Sequence, residues 1–106
     1  MSPPSERSAA PAQALRQALD GSEPLSRLLA RVQASRERLA IVLPVLPPEL
    51  HGALQAGPLD DSGWTLLVAN AAAAAKLRQL LPSMMATLQA HALPVVALRI
   101  KVQAPT

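Results

Sequence analysis

The chain has 106 residues and a mass of 11.1 kDa, which leaves room for one small domain. Half its residues are hydrophobic, but 21 are alanine, 19 are leucine and Trp64 is the single aromatic. The absence of cysteine excludes disulfides, thiolate metal sites and cysteine nucleophiles, and fits a reducing compartment.

Leu, Ile and Val make 28 of the 106 residues, above the range of intrinsically disordered chains, so a thin leucine-built core is expected. No stretch approaches the roughly 18 apolar residues of a membrane helix. The opening MSPPSERSAAPAQALRQ lacks a hydrophobic signal core. A cytoplasmic chain without a membrane partner is therefore expected. Charge is uneven along it. Residues 1–61 carry six basic and seven acidic side chains, whereas residues 62–106 carry Lys76, Arg78, Arg99 and Lys101 and no acid. That imbalance points to an acidic partner, either nucleic acid or an acidic protein surface; the plain alternative is a small domain kept soluble by a few positive charges.

Residues 1–22 hold Pro3, Pro4 and Pro11 in a low-complexity mix, and a disordered N-terminal tail is expected there. A domain over 23–103 follows. Ser22–Glu23–Pro24 combines a cap, an acid and an early proline, which predicts a helix start. Leu25, Leu28, Leu29, Val32, Leu39, Val42 and Leu43 recur at helical spacing and define its apolar face. Pro44, Pro47 and Pro48 end it. Arg27, Arg31 and Arg38 fall within about 40° of one another on the other side, at 100° per residue, and form a basic stripe that a solvated helix face would also give.

After this proline-rich elbow, His51 to Leu59 reads as a weak strand, confined to an edge or a bulge by Pro58. Asp60–Asp61–Ser62–Gly63 is a turn, and Trp64 to Ala69 a second strand, so a hairpin is predicted. Asn70 caps a second helix over Ala71 to about His91, with Ala74, Leu77, Leu81, Met84 and Leu88 inward and a kink or break at Pro82. Lys76 and Arg78 flank the apolar face. The clearest strand is Val95–Val102, with Val96, Leu98, Ile100 and Val102 facing one way and Arg99 and Lys101 the other. The expected fold class is α+β, in the order α-β-β-α-β, with two helices packed on one face of a three-stranded sheet.

Catalytic chemistry finds little support. His51 and His91 are far apart in sequence with no acid placed to orient either, and Asp60–Asp61 sits where a turn favours aspartate. Gly52 and Gly57 have P-loop spacing, but Pro58–Leu59 stands where Lys–Ser/Thr is required. No metal or cofactor and no small-molecule substrate is expected, and the chain reads as a non-enzyme. The element order is similar to KH-type domains, although their GxxG loop is absent. With one tryptophan and no Phe or Tyr, stacking on bases has almost no platform, and binding to nucleic acid would rest on phosphate contacts.

Asn70–Ala71–Ala72–Ala73–Ala74–Ala75–Lys76–Leu77–Arg78, followed by Leu80–Leu81–Pro82, resembles the DciA family. Leu46–Pro47 after the leading helix and the terminal Leu98–Arg99–Ile100–Lys101–Val102 extend the resemblance over about residues 25–103. Family members often carry an aromatic within the alanine-rich segment and another after the arginine; here those places hold alanines and Gln79. The resemblance implies a KH-like domain that binds DNA, single-stranded or duplex, and recruits or loads the bacterial replicative helicase. It assigns DNA contacts to the basic pair Lys76 and Arg78 and to Arg99 and Lys101, beside the stripe of Arg27, Arg31 and Arg38. The alternative is a protein-interaction module without nucleic-acid binding, docking through the leucine-rich first helix and the tail.

Overall fold

Ser22 opens the first helix of the described residues. Its Oγ accepts the Leu25 amide at 3.3 Å and its carbonyl the Ser26 amide at 3.0 Å, satisfying donors that a helix start leaves unpaired. In the computed structural model, which describes residues 21–103, this helix α1 spans Glu23–Val42. The tail expected over 1–22 lies outside the described residues except for Gly21 and Ser22. The chain divides into two units within α1, Met1–Ala30 and Arg31–Thr106.

In the first unit, Leu25 and Leu28 are exposed, Leu28 by 57 %, and Arg27 stands 4.0 Å from Glu23. In the second, Val32 is also exposed, and burial along α1 starts at Ser35 and is complete at Val42. The expected apolar face is therefore buried only in its C-terminal half. Periodicity reports which side of a helix is apolar, not whether a surface lies opposite it.

The rest of the second unit is an α+β arrangement. A 3-10 turn, Leu43–Val45, leads to a short helix α2, Pro48–His51. Strands β1 (Leu54–Asp60) and β2 (Gly63–Val68) form the predicted hairpin. Helices α3 (Ala71–Gln79) and α4 (Leu81–Ala90) precede β3, Leu98–Val102. The sheet order is β1-β2-β3, antiparallel between β1 and β2 and parallel between β2 and β3, so α3 and α4 form the crossover that a parallel pair requires. Two expected elements differ from this. His51 belongs to α2 rather than to a strand, because Pro48 suits a first helical turn and Leu46 and Leu50, four residues apart, both turn inward. The last strand begins at Leu98 rather than Val95, and Val96 is 81 % exposed while Val95 packs on the core.

The predicted second helix is split, as Pro82 requires: it offers no amide to the Arg78 carbonyl, and α3 ends at Gln79. Asn70 Oδ1 accepts the Ala73 amide at 2.8 Å and caps α3. Ala74, Leu77, Met84 and Leu88 are fully buried with Leu81 packed against them, and the cluster continues through Trp64, Leu66 and Val68 to Val42, Leu46, Leu50 and Leu54. The helices of this unit thus feed one core on the face of β2 that carries Trp64.

Two glycines are fixed by close approach. A Cβ on Gly57 would stand 2.5 Å from the Thr65 carbonyl oxygen, and Gly63, at φ +144°, would meet the Ala97 oxygen at 2.6 Å. Gly57 and Pro58 form a bulge in β1, where the pairing jumps from Ala56↔Leu66 to Leu59↔Trp64.

Helix α4 ends in a Schellman arrangement. The Leu93 amide reaches the Leu88 carbonyl at 2.9 Å and the Ala92 amide the Gln89 carbonyl at 3.0 Å, with Ala92 at φ +58° in the position glycine usually fills. An alanine there bears a left-handed penalty. Ala92→Gly is therefore expected to raise stability by about 0.5–1 kcal/mol in urea unfolding.

Candidate nucleic-acid interface

Alternation along the strands turns Trp64, Leu66 and Val68 inward and sends Thr65 and Leu67 to the opposite face of the sheet. Register places side chains beside them in two rows. Gln55, Leu67 and Lys101 form one row, and Thr65 and Arg99 are neighbours in the other. Leu98 and Ile100 pack on the core, so Arg99 and Lys101 project from the sheet face turned away from it. Lys76 and Arg78 instead lie on α3, which contributes Ala73, Ala74 and Leu77 to that core. The two basic pairs thus belong to different faces of the unit.

The four cations differ in how far they are engaged. Lys76 Nζ donates to Glu49 Oε1 at 2.7 Å, with both side chains about half exposed or more. Arg99 Nη2 donates to Ser62 Oγ at 3.0 Å and Nη1 to the Ser62 carbonyl at 3.3 Å, with Asp60 Oδ1 3.9 Å away. These bonds hold the guanidinium against the hairpin turn. Asp60 Oδ1 in turn accepts the Ser62 amide at 2.8 Å and its hydroxyl at 2.6 Å, which is the turn role expected of that aspartate. Arg78 and Lys101 are exposed and make no side-chain ion pair or hydrogen bond among the described residues.

The α1 stripe divides similarly. Arg27 lies in the first unit. Arg31 and Arg38 line a cleft of about 350 Å³ with Leu59, Asp60, Asp61 and Pro94–Val96. Arg38 Nη1 donates to the Ala34 carbonyl at 3.0 Å while its Nε is buried without a partner. The lining thus holds two arginines and two aspartates, and of these Asp60 also stands 3.9 Å from Arg99. His51 Nε2 donates to the Leu46 carbonyl at 3.0 Å and His91 Nδ1 to the Thr87 carbonyl at 2.9 Å. The His91 ring is thus tied to the end of its own helix, and the His51 ring to the segment that precedes α2. Among the described residues no three His, Asp or Glu side chains gather as a metal site would need, and no helix is long and apolar enough to cross a membrane.

Sequence reasoning passed over Ser35, a buried polar residue that bonds to Trp64 and Gly57, and the core leucines Leu46 and Leu50. The i, i+4 spacing of the two leucines was the available signal; for Ser35 there was none. Comparison of the chain with protein-family models, with curated proteins and with solved structures finds no match.

Two carboxylates at this surface are held below their ordinary range. Glu49 is lowered first by the Lys76 hydrogen bond, and Asp60 first by the Ser62 hydroxyl and then by its amide. A carboxylate whose folded pKa is depressed adds stability that is present above its unfolded value and is lost as pH falls through the folded one. The urea midpoint is therefore expected to fall as pH drops through and below the ordinary carboxylate range, and Glu49→Gln to remove part of that slope. An unchanged slope in Glu49→Gln would show that the Lys76 contact has no role in it.

Proposed function

We propose that this chain is a non-enzymatic, sequence-nonspecific DNA-binding accessory protein of replication, built on a KH-like unit. The observation that carries this reading is the placement of Arg99 and Lys101 side by side on the exposed sheet face, in a stretch with no acid after Asp61. Lys101 has no competing carboxylate among the described residues, and Arg99 is held in a fixed direction by Ser62. Both carry charge that phosphate oxygens attract, lysine as a point charge and Arg99 through the guanidinium protons that Ser62 leaves free.

Trp64 is fully buried, so no aromatic ring is offered to bases and recognition rests on the backbone. Arg78, and Lys76 once released from Glu49, extend the contact along a second face. The wider role, bringing a replicative helicase and DNA together, rests on the resemblance to DciA-type proteins. It would act by raising the local concentration of one partner near the other. A protein-interaction module without nucleic-acid binding is the second reading. It is favoured by the exposure of Leu25 and Leu28 in the first unit.

Fluorescence anisotropy with a labelled single-stranded oligonucleotide separates these readings. Binding should weaken steeply with salt, and the double reversal Arg99→Glu with Lys101→Glu should lower the logarithmic salt slope by about 1.4, the share of two phosphate contacts on a single strand. Lys76→Glu with Arg78→Glu should have a smaller effect, since Lys76 is already paired. Absence of binding at low salt would favour the interaction module. Co-purification with the replicative helicase of the host tests the recruitment role, and no association at micromolar concentration would remove it.

A further inference from the structure

The two edges of the sheet are unlike. On β1 the bulge at Gly57–Pro58 interrupts the ladder, Pro58 has no amide to offer, and the Gly57 carbonyl is taken by Ser35 Oγ at 2.6 Å. These are features that discourage a further strand. Strand β3 has none of them. Its five residues pair with β2 without interruption, from Trp64↔Leu98 to Val68↔Val102.

The phase of that pairing is fixed at both ends. The Trp64 amide donates to the Ala97 carbonyl at 2.8 Å and the Gln103 amide to the Val68 carbonyl at 2.7 Å. In a parallel ladder the bonding residues of one strand alternate. Ala97, Arg99, Lys101 and Gln103 therefore turn their amides and carbonyls to β2. Leu98, Ile100 and Val102 turn theirs outward, and no backbone partner meets them among the described residues.

Side chains select what could pair there. In an antiparallel match of β3 with β3 of a second copy, centred on Ile100, Arg99 of each strand would stand opposite Lys101 of the other. Like charges directly opposed are destabilising, so the edge disfavours its own copy. An incoming strand with carboxylates at alternate positions meets Arg99 and Lys101 on the outer face. Its intervening residues lie beside Leu98, Ile100 and Val102. We infer that the outer edge of β3 is a strand-addition site for an extended acidic peptide segment with apolar residues between its carboxylates. Main-chain bonds to Leu98, Ile100 and Val102 would supply affinity, and Arg99 and Lys101 the choice of partner. The same two side chains serve the DNA reading, but the backbone groups of Leu98, Ile100 and Val102 do not, since a phosphate chain does not pair as a ladder.

The test uses the full chain and a capped peptide of alternating Glu and Val, followed by NMR and amide hydrogen exchange. The peptide should bind at low salt and slow exchange at Leu98, Ile100 and Val102. A version N-methylated on the ladder-forming edge, with the same charges, should bind at least about tenfold more weakly, the loss of roughly one net hydrogen bond or more. Lys101→Glu should weaken the unmodified peptide while the chain keeps its NMR fingerprint. No binding, equal binding of the methylated peptide, or unchanged exchange at those three amides would overturn the proposal. Single-stranded DNA binding measured alongside distinguishes its failure from failure of the DNA reading.

Discussion

The indole N–H of Trp64 donates to Ser35 Oγ at 2.8 Å, and the Ser35 hydroxyl donates in turn to the Gly57 carbonyl at 2.6 Å. This two-bond chain joins α1, the central strand and the bulge of the edge strand. Ser35 is the one buried polar residue of the described core, and each of its partners would be costly to leave unpaired away from water. Gly57 lies in the bulge, where its carbonyl meets Ser35, and the lack of a Cβ there lets β1 close on Thr65. With so few large side chains in the chain, the position of Trp64 governs much of what the other core residues can fill.

From that anchoring follow the two surfaces of the sheet. Trp64, Leu66 and Val68 face the helices, so the alternate positions of β2 and the aligned Arg99 and Lys101 must lie outside. The crossover through α3 and α4 makes β3 parallel to β2 and leaves it at the margin with an uninterrupted backbone, while the bulge closes the other margin. Charge is divided as well. Lys76 is paired with Glu49 and Arg99 stands 3.9 Å from Asp60, whereas Lys101 makes no ion pair among the described residues.

Much of this was legible in the residues. The hairpin around Asp60–Gly63, the Asn70 cap, the break at Pro82 and the inward set Ala74, Leu77, Met84 and Leu88 each follow from a local rule, and local rules survive packing. Pro58 fell at both an edge and a bulge for the same reason. What escaped depends on distant partners. The exposure of Leu25, Leu28 and Val32 cannot be read from a period, and the burial of Ser35 depends on an indole 29 residues further along. Val95–Val96 alternates like a strand, but β2 starts only at Gly63, so in register these two residues fall opposite the Asp61–Ser62 turn. The grouping of Lys76 and Arg78 with Arg99 and Lys101 rests on the charge order along the chain and on the family resemblance, neither of which assigns side chains to faces.

The most direct test is a double-mutant cycle on Ser35→Ala and Trp64→Phe, with urea unfolding followed by circular dichroism. If the buried chain anchors the unit, Ser35→Ala should cost about 2 kcal/mol beside Trp64 and clearly less beside phenylalanine, where no indole N–H is stranded. Equal costs in the two backgrounds, or a loss below about 0.5 kcal/mol in both, would contradict the account.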